Sequence, residues 1–359
     1  YVLFITTLLL AGQQEEFIYF QFEDMKKFLT YICLFSSLLL VLGIGFEVML
    51  RRIPNSYKFK QEIIENGVST ARIFDRPSNC SINPAYLADS TYNISLSGQW
   101  LRYNRILLER YIGQLPHLQN VIWGISYQTL WIDDCISQDK ISIANHKIYM
   151  GIETDKDPLY NIELIATGSI SFRKWSKYYL LHKKTMACDS LGLDHGFDST
   201  ERSHAWLQDI PRLIKGHSAS QEPTAEQTFR DNIRRLNDVA GLCRSKGINL
   251  YLVIPPVHKL YYELTYPAQV AQMHTALEEI AAKWDNVRLY SYFNDNRFGD
   301  DDFHSGNHLS ADIGAIKFTQ ILQHDIWNND SVQTKSPDTR KDHKQTFRHR
   351  MLHQVKEYL

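Results

Sequence analysis

The amino-acid sequence predicts an α/β protein with a mostly parallel β-sheet, preceded by a helix that crosses a membrane. Between residues 70 and 327, short apolar runs typical of buried strands alternate with runs of helical periodicity, which indicates a sheet covered by helices on both faces. Ahead of them, residues 28–46 read FLTYICLFSSLLLVLGIGF, which is 19 residues without a charge. About 20 apolar residues span the hydrocarbon core of a bilayer as a helix.

The composition agrees with an ordinary globular protein. The 359 residues carry a formal net charge of -1, and 44% of them are hydrophobic. A chain of this length forms one large domain or two smaller ones. Its near-zero net charge gives no overall attraction to nucleic acid, so none is expected as a partner. The five cysteines are scattered without a CxxC pair, which predicts neither a zinc knuckle nor a redox dithiol, and no cofactor is expected.

Residues 25–52 are predicted to be an uncleaved signal anchor. Met25 and two lysines precede the apolar run, as at a bacterial start, and no clear small-residue cleavage site follows it. Lysines in front of the run favour a cytoplasmic N-terminus, whereas Arg51 and Arg52 behind it act against that orientation. The expected location is the bacterial inner (cytoplasmic) membrane, with a single pass and the main domain outside the cytoplasm.

Three further segments flank the predicted domain of residues 70–327. Residues 1–24 contain an apolar run too short to span a bilayer alone, either a second membrane-associated piece or sequence upstream of a start at Met25. Residues 53–69 have the composition of a polar linker. Residues 328–359 are polar and partly basic, which predicts a solvated tail or, alternatively, a segment that binds an anionic surface.

The elements of the domain follow in order. Strands are predicted at 70–74, 91–97, 120–126, 248–256 and 286–293, and helices at 99–115, 224–247, 268–284 and 310–326. Residues 132–222 are less periodic and rich in polar and aromatic side chains, which predicts an insertion that contains some helices and forms a lid over a site. Ligands of parallel sheets bind beyond the carboxyl ends of the strands, so the loops after the strands are expected to carry the chemistry.

The loop after the last predicted strand carries the strongest chemical pattern. Residues 301–318 read DDFHSGNHLSADIGAIKF and contain a His-Leu-Ser-x-x-x-Gly-Ala run that starts at His308. A histidine in such a loop suits general-base work, because its unperturbed pKa lies near neutrality. The alternative is a histidine that caps the following helix or bonds a nearby carbonyl.

This block resembles the last conserved block of the SGNH/GDSL hydrolase superfamily, and in particular membrane-anchored bacterial members related to cell-surface polysaccharide acyl-transfer proteins. The segments INPAYLADSTYNISLSGQ, LPHLQNVIWGISY and LYLVIPPVHKLYY resemble other blocks of the same group. The resemblance covers residues 70–325 without the insertion. It implies a flavodoxin-like three-layer α/β/α sandwich and ester hydrolysis or acyl transfer through a serine. Cell-envelope polysaccharide or an acyl ester is the implied substrate, and a membrane-bound acyl-donor protein is a candidate partner.

The resemblance also assigns roles to residues. His308 is the base, the backbone N–H of Gly98 with Ser97 forms the oxyanion hole, and the family's acid, three residues before the histidine, falls on Ser305. Asp301 or Asp302 then takes the place of that acid. The first block is degenerate, since Asp75 and Arg76 stand where the family has Gly-x-Ser. Ser78 or Ser69 is the candidate nucleophile, or there is none. A tight turn at Gly98 is the alternative reading of that glycine.

Two other functions stay open at this point. A degenerate member would keep the fold as a glycan-binding or assembly partner in a membrane complex. A metal site would use Asp301, Asp302, His304 and His308, since mixed carboxylate and imidazole ligands suit zinc or manganese.

Overall fold

The computed structural model describes residues 15–67, 73–75, 81–87, 91–96, 98–133, 140–198, 204–219 and 224–328 of the chain. The chain divides into two compact units, Tyr1–Arg52 and Ile53–Leu359. The first unit contains helix α1, Glu15–Arg52. The second contains the sheet and all other described helices.

Helix α1 includes the candidate membrane span. Its segment Met25–Arg52 is 28 residues long, with a mean hydropathy of 2.2 in its most apolar window, and none of that window is buried within the protein. Large apolar side chains such as Leu40 and Val41 are each 65% exposed. The predicted anchor therefore corresponds to one N-terminal helix that is long and apolar enough to cross a bilayer.

The second unit is built on a five-stranded sheet in which every strand pair is parallel. The strands are β1 (Ile73–Asp75), β2 (Thr91–Asn93), β3 (Asn120–Gly124), β4 (Asn249–Ile254) and β5 (Val287–Ser291). Their spatial order is β2-β1-β3-β4-β5. A separate antiparallel hairpin joins β6 (Phe303–Ser305) to β7 (His308–Leu309). The predicted α/β class with a parallel sheet is confirmed.

The described residues of the second unit form ten α-helices: α2 (Ser56–Glu62), α3 (Leu101–Tyr111), α4 (Lys140–Met150), α5 (Glu163–Thr167), α6 (Ser169–Trp175), α7 (Ile210–His217), α8 (Ala225–Ser245), α9 (Lys259–Glu263), α10 (Pro267–Lys283) and α11 (Gly314–Gln323). Periodicity explains the long ones. In α8 the buried residues Leu236, Val239, Ala240 and Cys243 lie on one face.

Alternate residues of the central strands enter two different hydrophobic clusters. In β3, Trp123 packs in the cluster that includes Leu236 of α8, whereas Ile122 packs in the cluster that includes Phe318 of α11. In β4, Leu252 belongs to the first cluster. Successive strand side chains point to opposite faces, so both faces of the sheet carry a packed core.

The segment expected to be a polar linker forms α2 and the following helical turn to Gly67, and it packs into the second unit. Ile63 and Ile64 are buried in the main core. Lys60 is fully buried; its Nζ donates to the carbonyl oxygen of Ser95 and lies 3.4 Å from Asn93 Oδ1. The prediction of a linker was wrong because the segment is mostly polar, and its few apolar residues lie on one helical face.

The insertion between β3 and β4 contains α4 to α7 and long irregular stretches. It returns to the sheet at the carboxyl ends of the strands. The N–H of Asn93, the last residue of β2, donates to the carbonyl of Leu191 at 2.8 Å. The N–H of Ala311, beyond β7, donates to the carbonyl of Phe197 at 3.1 Å. Residues 191–197 thus bridge β2 and the β6–β7 hairpin.

Candidate functional site

The His308 block is fixed by a compact set of backbone and hydroxyl bonds. The N–H of Ser310 donates to the carbonyl of Asp302 at 2.9 Å, which closes the hairpin. The N–H of Gly314, the first residue of α11, donates to Ser310 Oγ at 3.1 Å. Ser310 is fully buried. Its hydroxyl therefore satisfies one of the free donors at the start of α11 and sets the direction in which the helix leaves.

The spacing His-Leu-Ser-x-x-x-Gly-Ala has a steric reason. A Cβ at position 314 would lie 1.9 Å from the carbonyl oxygen of Asp302, so only glycine allows this approach. Leu309 and Ala315 are both buried. The pattern thus specifies a close crossing between the start of α11 and the chain ahead of the hairpin.

The hairpin lies at the carboxyl edge of the sheet. Beyond the end of β4, the N–H of His258 donates to the carbonyl of Gly306, in the hairpin turn, at 2.9 Å. A Cβ at Gly306 would lie 3.0 Å from Ile210 and 3.1 Å from Tyr261. This edge is where ligands of parallel α/β sheets bind, so the hairpin presents His308 in the expected region.

The His308 ring is held from one side. Its Nδ1 lies 3.0 Å from Ser305 Oγ, and its plane stacks on Phe197 with 5.6 Å between centroids and 24° between planes. The residue as a whole is partly exposed. Where Ser305 accepts the proton of Nδ1, the lone pair of the imidazole is on Nε2. Nε2 has no hydrogen-bond partner in the part of the chain that the structure describes.

The surroundings of His308 favour the neutral ring. Burial lowers its pKa to about 4, and the nearby His217 and His304 lower it further in smaller measure. At about 1.4 kcal/mol per tenfold change in proton affinity, this lowering corresponds to roughly 3 kcal/mol against the imidazolium. His308 is therefore an acceptor at neutral pH, but a weaker base than a histidine paired with a carboxylate.

The carboxylates that the sequence offered as partners of His308 lie elsewhere. Asp302 is buried, and its Oδ2 accepts from Lys317 Nζ at 2.8 Å and from the N–H of Gly299 at 2.9 Å. Asp301 is exposed, and its Oδ1 lies 3.4 Å from His204 Nε2 without hydrogen-bond geometry. The structure brings His308 together with Ser305 and not with Asp301 or Asp302, because Asp302 is engaged in holding the turn ahead of the hairpin.

The metal site that the sequence offered as an alternative does not form among the described residues. Asp301, Asp302, His304 and His308 are all described, and the structure gathers no three His, Cys, Asp or Glu side chains of its described residues into a metal-binding group. His304 is exposed and contacts Phe197 edge-on.

The Gly98 turn is partly described, since Ser97 lies outside the described residues. Gly98 has φ of 69°, and the N–H of Gln99 donates to the carbonyl of Leu96 at 3.2 Å. The backbone conformation of the turn is thus enough to explain a glycine at this position. The carbonyl of Gly98 accepts from Ser142 Oγ at 2.9 Å. Its own N–H has no acceptor within the described ranges, which is what an oxyanion donor requires.

The nucleophile cannot be placed, because Ser78 and Ser69 both lie outside the described residues, as does Arg76. Asp75 is the last residue of β1, and its backbone pairs with Asn93 of β2 and Ile122 of β3. A carboxylate residue thus occupies the strand end at which the SGNH pattern expects its serine block to begin.

Three residues of this region were not predicted as parts of a site. Phe197 covers both His304 and His308 from the insertion. His217, at the end of α7, lies close enough to lower the pKa of His308 and shares a 2.7 Å hydrogen bond with Tyr261 Oη. Asn93 ends β2 fully buried. The contact between Ser305 and His308 had a signal in the sequence, because the two residues are three positions apart. Phe197 and His217 had none, because they lie in an aperiodic stretch.

Comparison with known proteins adds no assignment, since no protein-family model matches the chain and no curated protein matches it significantly.

Proposed function

We propose that this protein is a membrane-anchored SGNH-like esterase or O-acyltransferase that acts on glycans of the cell envelope through a Ser/His mechanism. The observation that carries the proposal is the state of His308. Its Nδ1 is oriented by Ser305, its second nitrogen has no partner among the described residues, and it lies at the carboxyl edge of a parallel sheet.

The fold supports this class. The strand order β2-β1-β3-β4-β5 is the order of flavodoxin-like sheets. Strand residues pack alternately into two cores, one of which contains α8 and α10 residues and the other α11 residues. A flavodoxin-like three-layer sandwich accounts for both features.

The proposed chemistry uses groups of this chain. A serine hydroxyl, from Ser78 or Ser69, attacks the ester carbonyl while its proton passes to Nε2 of His308. The Gly98 N–H donates to the oxyanion that forms. The proton then passes from Nε2 to the departing alkoxide. Ser305 keeps the ring in the required tautomer but, unlike an aspartate, supplies no charge to stabilise the imidazolium, so slow turnover is expected.

A second function is favoured by two specific observations. Ser305 stands in the place of the acid, and Asp75 ends β1 where the serine block is expected to begin. A catalytically degenerate SGNH-like protein, which serves as a glycan-binding or assembly partner, fits both. In that reading the neutral His308 accepts a hydrogen bond from a ligand hydroxyl and takes part in no proton transfer.

Helix α1 supports the proposed location. The proposal places the protein in the bacterial inner membrane with the second unit outside the cytoplasm, supported by Lys26 and Lys27 ahead of the apolar run. We expect alkaline phosphatase fused after residue 328 to be active, because this reporter is active only outside the cytoplasm. An inactive fusion that is made in full would overturn this orientation.

A fluorophosphonate probe separates the two functions. The full chain in mild detergent is treated with the probe, and labelled residues are located by mass spectrometry. The enzyme proposal expects one labelled serine, lost in His308→Ala and kept in His304→Ala, a neighbouring exposed histidine. No labelling of folded protein would favour the degenerate function, and labelling that persists in His308→Ala would contradict the assigned base.

A further inference from the structure

The insertion carries an exposed apolar and basic surface, which we define as residues 159–184. It contains α5, α6 and the helical turn Ser176–Leu180. Among the described residues outside α1, twelve large apolar side chains are exposed, and seven of them lie here: Leu159, Ile162, Ile165, Ile170, Phe172, Leu180 and Leu181. Such a concentration on one short stretch marks an interaction surface, since scattered single residues are the ordinary case.

The charges of the 159–184 surface have one sign. It contains five Lys/Arg and a single acid. That acid, Glu163, is buried and neutralised by Lys174 Nζ at 2.8 Å. Arg173, Lys177, Lys183 and Lys184 are exposed. None of these four has an ion-pair partner in the described part of the chain. The exposed charge of this surface is therefore wholly positive.

The surface is pre-formed. The Glu163–Lys174 pair joins α5 to α6, and Ser171 Oγ donates back to the carbonyl of Glu163 at 3.2 Å. Phe172 stacks on Trp175 at 5.8 Å, and Trp175 contacts Tyr179 at 6.1 Å. Apolar side chains, basic side chains and a Trp/Tyr row on short helices are the composition of segments that lie in the interface of a bilayer.

We infer that the 159–184 surface docks the second unit on an anionic lipid bilayer. The leucine, isoleucine and phenylalanine side chains enter the headgroup region, and the four basic residues face anionic lipid headgroups. Lipid is favoured over a protein partner, because apolar anchors, a Trp/Tyr row and uniform positive charge occur together. This contact is separate from the membrane-spanning helix and does not depend on the acyl chemistry proposed above.

The test separates docking from anchoring. A protease site is inserted between Arg52 and Ile53, the boundary of the two units. The full chain is reconstituted in protein-free vesicles and then cleaved. Sedimentation measures the fraction of the second unit that stays with vesicles of phosphatidylcholine alone or of phosphatidylcholine with phosphatidylglycerol. We expect retention on the anionic vesicles at low salt, with partial release at high salt because exposed charges are screened.

Matched variants locate the contact. Leu180→Ser with Leu181→Ser, and separately Lys183→Glu with Lys184→Glu, should each lower the vesicle partition by roughly tenfold or more. Leu264→Ser with Tyr266→Ser removes two similarly exposed apolar side chains outside the surface and should leave it unchanged. Circular dichroism of the released unit checks that each variant is folded.

Several outcomes would overturn the inference. Complete release from anionic vesicles at low salt would do so, as would equal retention of the surface and control variants. Retention on native membranes but not on protein-free vesicles would assign the surface to a protein partner instead. A failure of the anchor is seen independently, because an uncut chain that does not span the bilayer is extracted by alkaline carbonate. The released unit can then still be added to vesicles.

Discussion

Two histidines of this protein, His308 in the β6–β7 hairpin and His146 on α4, share a pKa lowered to about 4 and differ in almost everything else. His146 is fully buried and stacks on Tyr103 with 3.7 Å between centroids. Its Nδ1 lies 2.8 Å from the carbonyl of Ser142. Its Nε2 is buried and has no partner among the described residues.

Burial of a histidine does not by itself make the ring available for chemistry. Both rings are kept neutral mainly by desolvation. Of the two residues, only His308 is partly exposed, and only His308 lies in a block whose backbone crossing demands a glycine. A lowered pKa therefore does not identify a site by itself. The accessibility of the nitrogen opposite the anchored one does so more directly.

The largest expected effect tests whether the His308 block is a rigid frame. Gly314→Ala should lower the free energy of unfolding by about 3 kcal/mol or more, because the new Cβ would lie 1.9 Å from the Asp302 carbonyl oxygen. Gly299→Ala is the matched control, since a Cβ there meets nothing within 4 Å. Urea unfolding followed by circular dichroism measures both. Equal stability of the two variants would mean that the crossing is not tight.

The next effect concerns acid stability. Both rings are neutral when folded, so in the unfolded chain each binds a proton near pH 6.5 that the folded protein takes up only near pH 4. The free energy of unfolding therefore does not suffer from these two groups above pH 6.5, and it falls by up to roughly 3 kcal/mol per histidine as the pH drops toward 4. His146→Phe keeps the ring stacking and should remove its share of this loss.

Unfolding curves at several pH values between 4 and 7 measure that difference. His117→Phe, at an exposed position, serves as the control. If His146→Phe loses stability on acidification as steeply as the parent protein, the buried His146 does not control the acid response. The comparison with His308 would then lose its energetic basis.

A smaller effect tests the role of Asp302. Asp302→Asn removes the ion pair with Lys317 and should cost about 2 kcal/mol of stability. It should leave the titration of His308 unchanged, because Ser305 and not Asp302 contacts that ring. Asp301→Asn, at an exposed site, should change neither property. A change in the His308 titration in Asp302→Asn would return Asp302 to the role that the sequence assigned to it.

The fold was largely predictable, since β3 and β4 are apolar runs and α8, α10 and α11 have clear helical periodicity. Helix α2 was missed because five of its seven residues are polar or charged. Within the site, the register of the block placed Ser305 three residues before His308, and the structure joins them. Phe197 was out of reach, because it meets His308 across more than 100 residues of chain with no periodic pattern.

The smallest expected effect bears most directly on function. Ser305→Asp restores the acid at the position where the SGNH pattern has it, 3 residues before His308. A carboxylate in contact with Nδ1 stabilises the imidazolium, so it should raise the pKa of His308 by at least about one, or about 1.4 kcal/mol. Ser305→Asn is the control, since it has the same shape without the charge. The pH dependence of diethylpyrocarbonate modification at His308, located by mass spectrometry, measures the change.

The same variant distinguishes an impaired enzyme from a degenerate one. If a competent serine faces Nε2, the restored acid should raise esterase turnover by about 100-fold, a fraction of what acids contribute in complete triads. If the pKa of His308 rises and turnover stays at background, the base is functional and the nucleophile is missing, so the protein is a binding or assembly partner. If the pKa does not rise, Ser305 does not occupy the acid's place, and the proposed SGNH-like site is wrong at its most specific contact.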